Sequence, residues 1–114
     1  MLPREKRLIK GRDFDRAYQK GKRTKTQHFN INVLPNRQAL TRVGVVVGKK
    51  FSKKAIERNR AKRVFREAVR VIYDNIRPGL DIVIFVKKPN IQKLKPEALK
   101  TELKRVLEKA GAIK

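Results

Sequence analysis

The side chains best placed to do chemistry in this sequence are cations. From Lys49 to Arg70 ten Lys and Arg face only two acids, Glu57 and Glu67. Near the middle of that run stands the triplet Arg58, Asn59 and Arg60, followed at once by Lys62 and Arg63. Such a surface neutralises phosphates and releases their condensed counterions, so its binding weakens steeply with salt. Asn59 is a poor helix-interior residue, but its amide both donates and accepts, toward a base edge or a 2′-hydroxyl. A helix that was basic only for solvation would be served equally well by Glu, which is nearly absent here. The second group is aromatic. Phe14 and Tyr18 are four apart, and unpaired bases stack on rings so presented. The competing reading is a core-facing stripe; it weighs less for Tyr18, whose hydroxyl favours a wet edge.

Catalytic groups are sparse by comparison. The chain has one His, His28, and no Cys, which leaves no disulfide framework or thiolate metal site and fits a reducing cytoplasm. Ser52 precedes a helix and reads as its cap rather than as a nucleophile. Asp13, Asp15, Asp74 and Asp81 are scattered, with no carboxylate pair in an apolar setting for general acid–base work. The stretch VGVVVGKKFS lacks the spacing of a phosphate-cradling loop. Catalysis by this chain's own side chains, or by a metal ion it holds, is not expected. Overall charge agrees: 32 Lys+Arg against 10 Asp+Glu give +22 over 114 residues, a self-repulsion best explained by a polyanionic partner. Nucleic acid is favoured over a membrane, because no stretch carries the Trp- or Phe-rich face of an interfacial helix and none has 18 apolar residues in a row. The opening MLPREKRLIKGRDF has no apolar signal region and reads as a flexible basic arm over residues 1–10.

The elements that must position these groups follow from periodicity. Residues 12–20 make a short helix with Phe14, Ala17 and Tyr18 on one face and Gly21 as its stop. HFNINVL (28–34) alternates, with Phe29, Ile31 and Val33 on one side and His28, Asn30 and Asn32 on the other, so its polar face can floor a groove against that helix. A short strand is possible at 22–26, and RVGVVVG (42–48) suits a central strand. The basic helix is expected over 53–74, anchored by Ala61, Val64, Phe65, Ala68 and Ile72. DIVIFV (81–86) reads as a buried strand. A last helix runs from Pro96 to Ala110 on Leu99, Leu103, Val106, Leu107 and Ala110, with Gly111 ending it. The fold class is α+β in one domain: a central mixed sheet of three to four strands in the order α-β-β-(β)-α-β-α.

These residues resemble a known family. RVGVVVGKKFSKKAIERNRAKRVFREAVR (42–70), with its R-N-R triplet, is similar to the signature of the bacterial ribonuclease P protein subunit. RLIKGRDFDRAYQKGK (7–22), HFNINVL and DIVIFVKKP support the likeness over nearly the whole chain. The resemblance implies that a catalytic RNA holds the active site and its Mg²⁺, and that the 1:1 holoenzyme removes the 5′ leader of precursor tRNA. It implies a left-handed β-α-β crossover, as in ribosomal protein S5 domain 2, against the usual right-handed rule. It assigns Phe14 and Tyr18, with His28, Asn30 and Asn32, to a leader-binding cleft. It assigns Lys49, Lys50, Lys53, Lys54, Arg58, Asn59, Arg60, Lys62, Arg63 and Arg66 to the catalytic RNA. Asn32 stands where some relatives carry an aromatic, so a hydrogen bond to base or sugar would replace stacking there. The alternative is a general RNA- or DNA-binding protein of ribosomal or nucleoid type, which would bind any duplex as well as a leader-bearing precursor.

Overall fold

A computed structural model describes residues 2–87 and 95–114. The elements in chain order are α1 (Gly11–Lys20), β1 (Lys22–Lys25), β2 (Phe29–Pro35), β3 (Arg42–Val47), α2 (Ala55–Ile72), β4 (Leu80–Val86) and α3 (Pro96–Lys109), with single 3₁₀ turns at Arg4–Lys6 and Tyr73–Asn75. The strands form one four-stranded sheet in the order β1-β2-β4-β3. β2 is antiparallel to β1 and β4, and β3 runs parallel to β4 with α2 as the connection between them. The possible strand at 22–26 is thus real and supplies the outer edge beside β2.

Alternation in the strands sorts the sheet into two faces. Phe29, Ile31, Val33, Val43, Val45, Val47, Ile82, Ile84 and Val86 share one face and are buried with α2 and α3 in the main core. α2 contributes Ala61, Phe65, Ala68, Val69 and Ile72, and the Phe65 ring meets Phe29 edge to face at 5.4 Å. α3 contributes Leu99, Leu103, Val106 and Leu107. Each such fully buried side chain stabilises the fold by about 1.5–3 kcal/mol, which is how a helix so rich in Arg is held down. Pro96 sits in the first turn of α3, and Gly111, at φ 77°, ends it as expected. Among the described residues no helix is long and apolar enough to cross a membrane.

Three expectations need correction. The basic helix starts at Ala55, not 53, and Lys54 rather than Ser52 is its N-cap residue, without a side-chain cap. Ser52 Oγ instead accepts from the Lys54 N–H at 3.1 Å and donates to Glu57 Oε1 at 2.8 Å, bracing the turn before the helix. Helical geometry also tightens to 3₁₀ after Ile72. The third concerns residues 1–10, which do not form a free arm in the structure. Leu2 and Leu8 are buried, the Leu8 N–H donates to Val43 O at 3.0 Å, and Lys6 Nζ lies 4.5 Å above the Tyr73 ring. The apolar residues of this segment cover the outer edge of β3, which would otherwise expose unpaired backbone groups.

Candidate nucleic-acid interface

The second face of the sheet belongs to α1, and the strand register shows how much of it α1 covers. Three cross-strand rows point that way: Leu34, Asp81 and Arg42; then Arg23, Asn32, Val83 and Gly44; then Lys25, Asn30, Phe85 and Val46. α1 closes the first two. Ala17 is fully buried with Val83 and Leu8, and the Phe14 ring rests on Gly44, where a Cβ would collide with the ring itself. Gly21 is needed for a related reason. Its φ is −73°, so it supplies no left-handed turn, but a Cβ there would overlap Ala17 O at the end of the helix.

Asn32 therefore does not face a groove. It is fully buried, and its amide donates to the carbonyls of Ala17 at 3.1 Å and Tyr18 at 3.2 Å while Oδ1 accepts from Arg23 Nε at 3.3 Å. Both amide hydrogens are spent on the C-terminal carbonyls of α1, so the expected contact with base or sugar gives way to a structural tie. Phe14 is half-buried and belongs more to the packing than to the surface. His28, just before β2, lines a different concavity with residues 24–27 and with Glu102, Arg105 and Lys109 from α3. The five expected cleft residues are thus split among three environments.

What stays open is the third row. Tyr18, 54% exposed, stands at its border and meets Phe85 edge to face at 5.7 Å. The Arg23 guanidinium lies 4.8 Å from the Tyr18 ring, and Asn30 has a buried Oδ1 without a hydrogen-bond partner. Beside Phe85 a concavity of about 510 Å³ is lined by Val46, Gly48, Lys49, Lys50, Phe51, Val86 and Lys87. Rings and flanking ammonium groups are what unpaired bases and their phosphates use. Phe85 is the member that sequence reasoning missed. Reading 81–86 as buried on both sides hid its parity with Asp81 and Val83, which was the available signal.

From the concavity the chain passes through Lys49, Lys50, Lys53 and Lys54, all exposed, directly into α2. Asn59, Arg60 and Arg63 are exposed on α2, whereas Lys62 and Arg66 are half-buried along the edge of its apolar stripe. Arg58 differs from its neighbours, because its Nη1 donates to Ser52 O at 2.9 Å and closes the basic loop onto the helix. The expected RNA-facing cations thus lie on the loop that leaves the concavity and on the helix that follows it.

The acids are less scattered than the sequence suggested. Asp81 is fully buried and accepts from Arg42 at 2.9 and 2.7 Å and from Asn36 Nδ2 at 2.9 Å. Asp13, on α1, reaches Arg42 at 3.3 Å, and Arg16 lies 3.7 Å from both carboxylates. The hydrogen bonds that Arg42 donates to Asp81, with burial opposing them, hold its guanidinium above its usual pKa. This cluster ties the start of α1 to β3 and β4 and cancels two negative charges beneath a cationic face.

Known proteins resemble the chain throughout. The family model described as Ribonuclease P matches residues 2–111. The ribonuclease P protein component of a Picosynechococcus species is 42% identical, over 93% of this chain and 90% of that protein. Its counterpart from a Synechocystis species is 39% identical, over 98% and 90%. Among solved structures, the Staphylococcus aureus RNase P protein superposes with a TM-score of 0.81 at 27% identity, over 96% of this chain and 98% of that one. The Thermotoga maritima RNase P protein gives 0.81 at 30% identity, over 90% and 96%.

Proposed function

The chain belongs to the ribonuclease P protein family, and from that premise we propose how its surface divides the work between two RNAs. It is a protein component of the tRNA-processing endoribonuclease, and an RNA partner in the holoenzyme comes with that membership. The open row beside Tyr18 takes the single-stranded 5′ leader of precursor tRNA, and the basic loop with the exposed arc of α2 takes the catalytic RNA, one protein to one RNA. The observation that carries this reading is the Tyr18–Phe85 pair at the border of a concavity ringed by Lys49, Lys50 and Lys87. Bases stacking there fix a strand without reading its sequence, since every base has a π-face. The lysines and arginines neutralise phosphates that would otherwise repel one another where leader and catalytic RNA meet.

Among the described residues the acids do not fit the Mg²⁺ that the family resemblance implies. Asp13 and Asp81 are both engaged by Arg42, and among the described residues no three His, Asp or Glu side chains gather into a metal site. We assign the Mg²⁺ to the RNA and give this chain binding and positioning alone. Reconstitution tests the proposal. The chain by itself should not cleave precursor tRNA; added to a bacterial ribonuclease P RNA at low salt, it should lower both the Mg²⁺ requirement and the substrate KM. Unchanged values of both would overturn it. A general nucleic-acid binder would also be competed away by plain duplex as readily as by leader-bearing precursor.

A further inference from the structure

At the other end of α1 lie two adjoining concavities, of about 430 and 450 Å³, that share Lys10, Asp13, Gln38 and Arg42. We propose that they form a separate anion site, which seats a phosphodiester group of RNA apart from both the cleft and α2. Three observations meet there. Six of the ten residues lining the pair are Lys or Arg (Arg4, Arg7, Lys10, Arg12, Arg16 and Arg42), against 32 in 114 for the chain. Arg42 and Arg16 are offset by Asp13 and Asp81, which leaves four cations, Arg4, Arg7, Lys10 and Arg12, facing one further acid, Glu5.

The second observation is the start of α1. Its N-cap residue is Lys10, whose side chain cannot accept a hydrogen bond, and the Asp13 and Phe14 amides turn back to Lys10 O. The N–H groups of Gly11 and Arg12 are left without a backbone acceptor among the described residues, and nothing lies within 4 Å of where a Gly11 Cβ would stand. Free amides, the helix dipole and open approach together suit an anion. The third is Arg7, whose Nε is shut off from solvent with no hydrogen-bond partner. Arg7 lines the first cavity, where its Nη donors can meet an acceptor. The Asp13–Arg42–Asp81 cluster holds the floor in place before any ligand arrives. Gly11 is seven residues from Tyr18, about 10 Å along the helix, so one strand lying along α1 can occupy both sites. A loop of the catalytic RNA can reach this one alone.

The inference rests on the RNA-binding reading only for the source of the phosphate, so the first experiment uses inorganic phosphate and the chain alone. Titration followed by ¹H–¹⁵N correlation spectra should move the Gly11 and Arg12 amides and the Arg7 Nε–H saturably. The double variant Lys10→Gln/Arg12→Gln, both exposed positions, should abolish that saturation. Weak, unsaturable shifts spread over all basic residues would overturn the site. Two RNA arms then identify the source. A loss of affinity by the double variant that grows with leader length assigns the leader, and a loss seen with catalytic RNA alone assigns that RNA. Either should flatten the salt slope by about one per lost contact. Unchanged affinity in both arms overturns the RNA assignment. Tyr18→Ala, run in parallel, reports on the cleft separately, so failure of one reading is distinguishable from failure of the other.

Discussion

Replacing Asn32 with Ala separates a structural tie from an RNA contact at a position where the sequence alone favoured the contact. The substitution removes two amide donations, to Ala17 O at 3.1 Å and Tyr18 O at 3.2 Å, and the acceptor that Arg23 Nε uses at 3.3 Å. Ala17 O keeps the Gly21 N–H at 2.9 Å and is not orphaned; Tyr18 O loses the one side-chain donor it has in the structure. At about 0.5–1.5 kcal/mol net for each ordinary bond, with the long Arg23 contact at the low end, the loss sums to about 2–3 kcal/mol. For a two-state domain of this size that lowers Tm by about 8–12 °C. Thermal or urea unfolding at fixed salt and anion concentration reads it, since anions that bind only the folded chain shift Tm by mass action. Hydrogen exchange should show the effect first in α1. Asn32→Asp, nearly isosteric, should be worse than Ala, because it sets a carboxylate against two carbonyl oxygens. A Tm within about 2 °C of wild type would refute the reasoning, all the more if leader affinity fell at the same time, which would restore Asn32 to the RNA surface.

Tyr18→Ala should weaken leader binding by about 1–3 kcal/mol through lost stacking, with no loss for tRNA that lacks a leader; Phe85→Leu, which keeps the packing volume, should weaken it in the same direction. Equal losses with and without a leader would return both rings to the core. Arg60→Ala should cost about 1–3 kcal/mol of catalytic-RNA affinity and reduce the salt slope by about one while leaving Tm alone. Arg58→Ala should cost RNA affinity and stability together, because it also cuts the bond to Ser52 O; a Tm equal to that of the Arg60 variant would contradict the tie. Tyr73→Phe tests a titration. Burial raises the Tyr73 hydroxyl above its ordinary 10.0, and the neutral hydroxyl donates to Thr41 O at 2.6 Å. A raised folded-state pKa means stability that is complete below pH 10.0 and is lost as pH rises through the folded value. The Phe variant should therefore be less stable at neutral pH but decline less under alkali. Parallel curves for the two proteins would argue against it.

Much of this architecture is legible in the sequence because it is local. The α3 stripe of Leu99, Leu103, Val106 and Leu107 and the alternation of Phe29, Ile31 and Val33 are periodicities, and burial follows them directly. Asn30 and Asn32 show where that legibility stops. They share a face and a residue type, yet one is covered by α1 and the other borders the open row, because coverage depends on where a helix fifteen residues away ends. The Arg42–Asp81 pair is invisible for the same reason. Its partners are 39 apart and meet through a parallel register that no spacing rule encodes. Leu2 and Leu8 were hidden by their neighbours, since four Lys and Arg in the first ten residues suggest a solvated arm while two leucines suffice to dock it.

The length of α1 decides what this face of the sheet can do. One more helical turn would cover Phe85 and Asn30, and the face would become a second core with no place for a strand of RNA. One turn fewer would expose Val83 and free Asn32, and the helix would lose the tie that fixes Tyr18. As built, the helix ends where Asn32 captures its last carbonyls, so the residue that closes the packed part of the face also sets the border of the open part. At its other end Asp13 meets Arg42 and Asp81, and those acids are consumed where they brace cations rather than repel phosphates. A chain carrying +22 can then keep its few carboxylates for internal ties and leave Arg and Lys for RNA. That distribution suits a ribonuclease P protein component: binding needs rigid placement of charge and rings, and α1 supplies the rigidity from both ends.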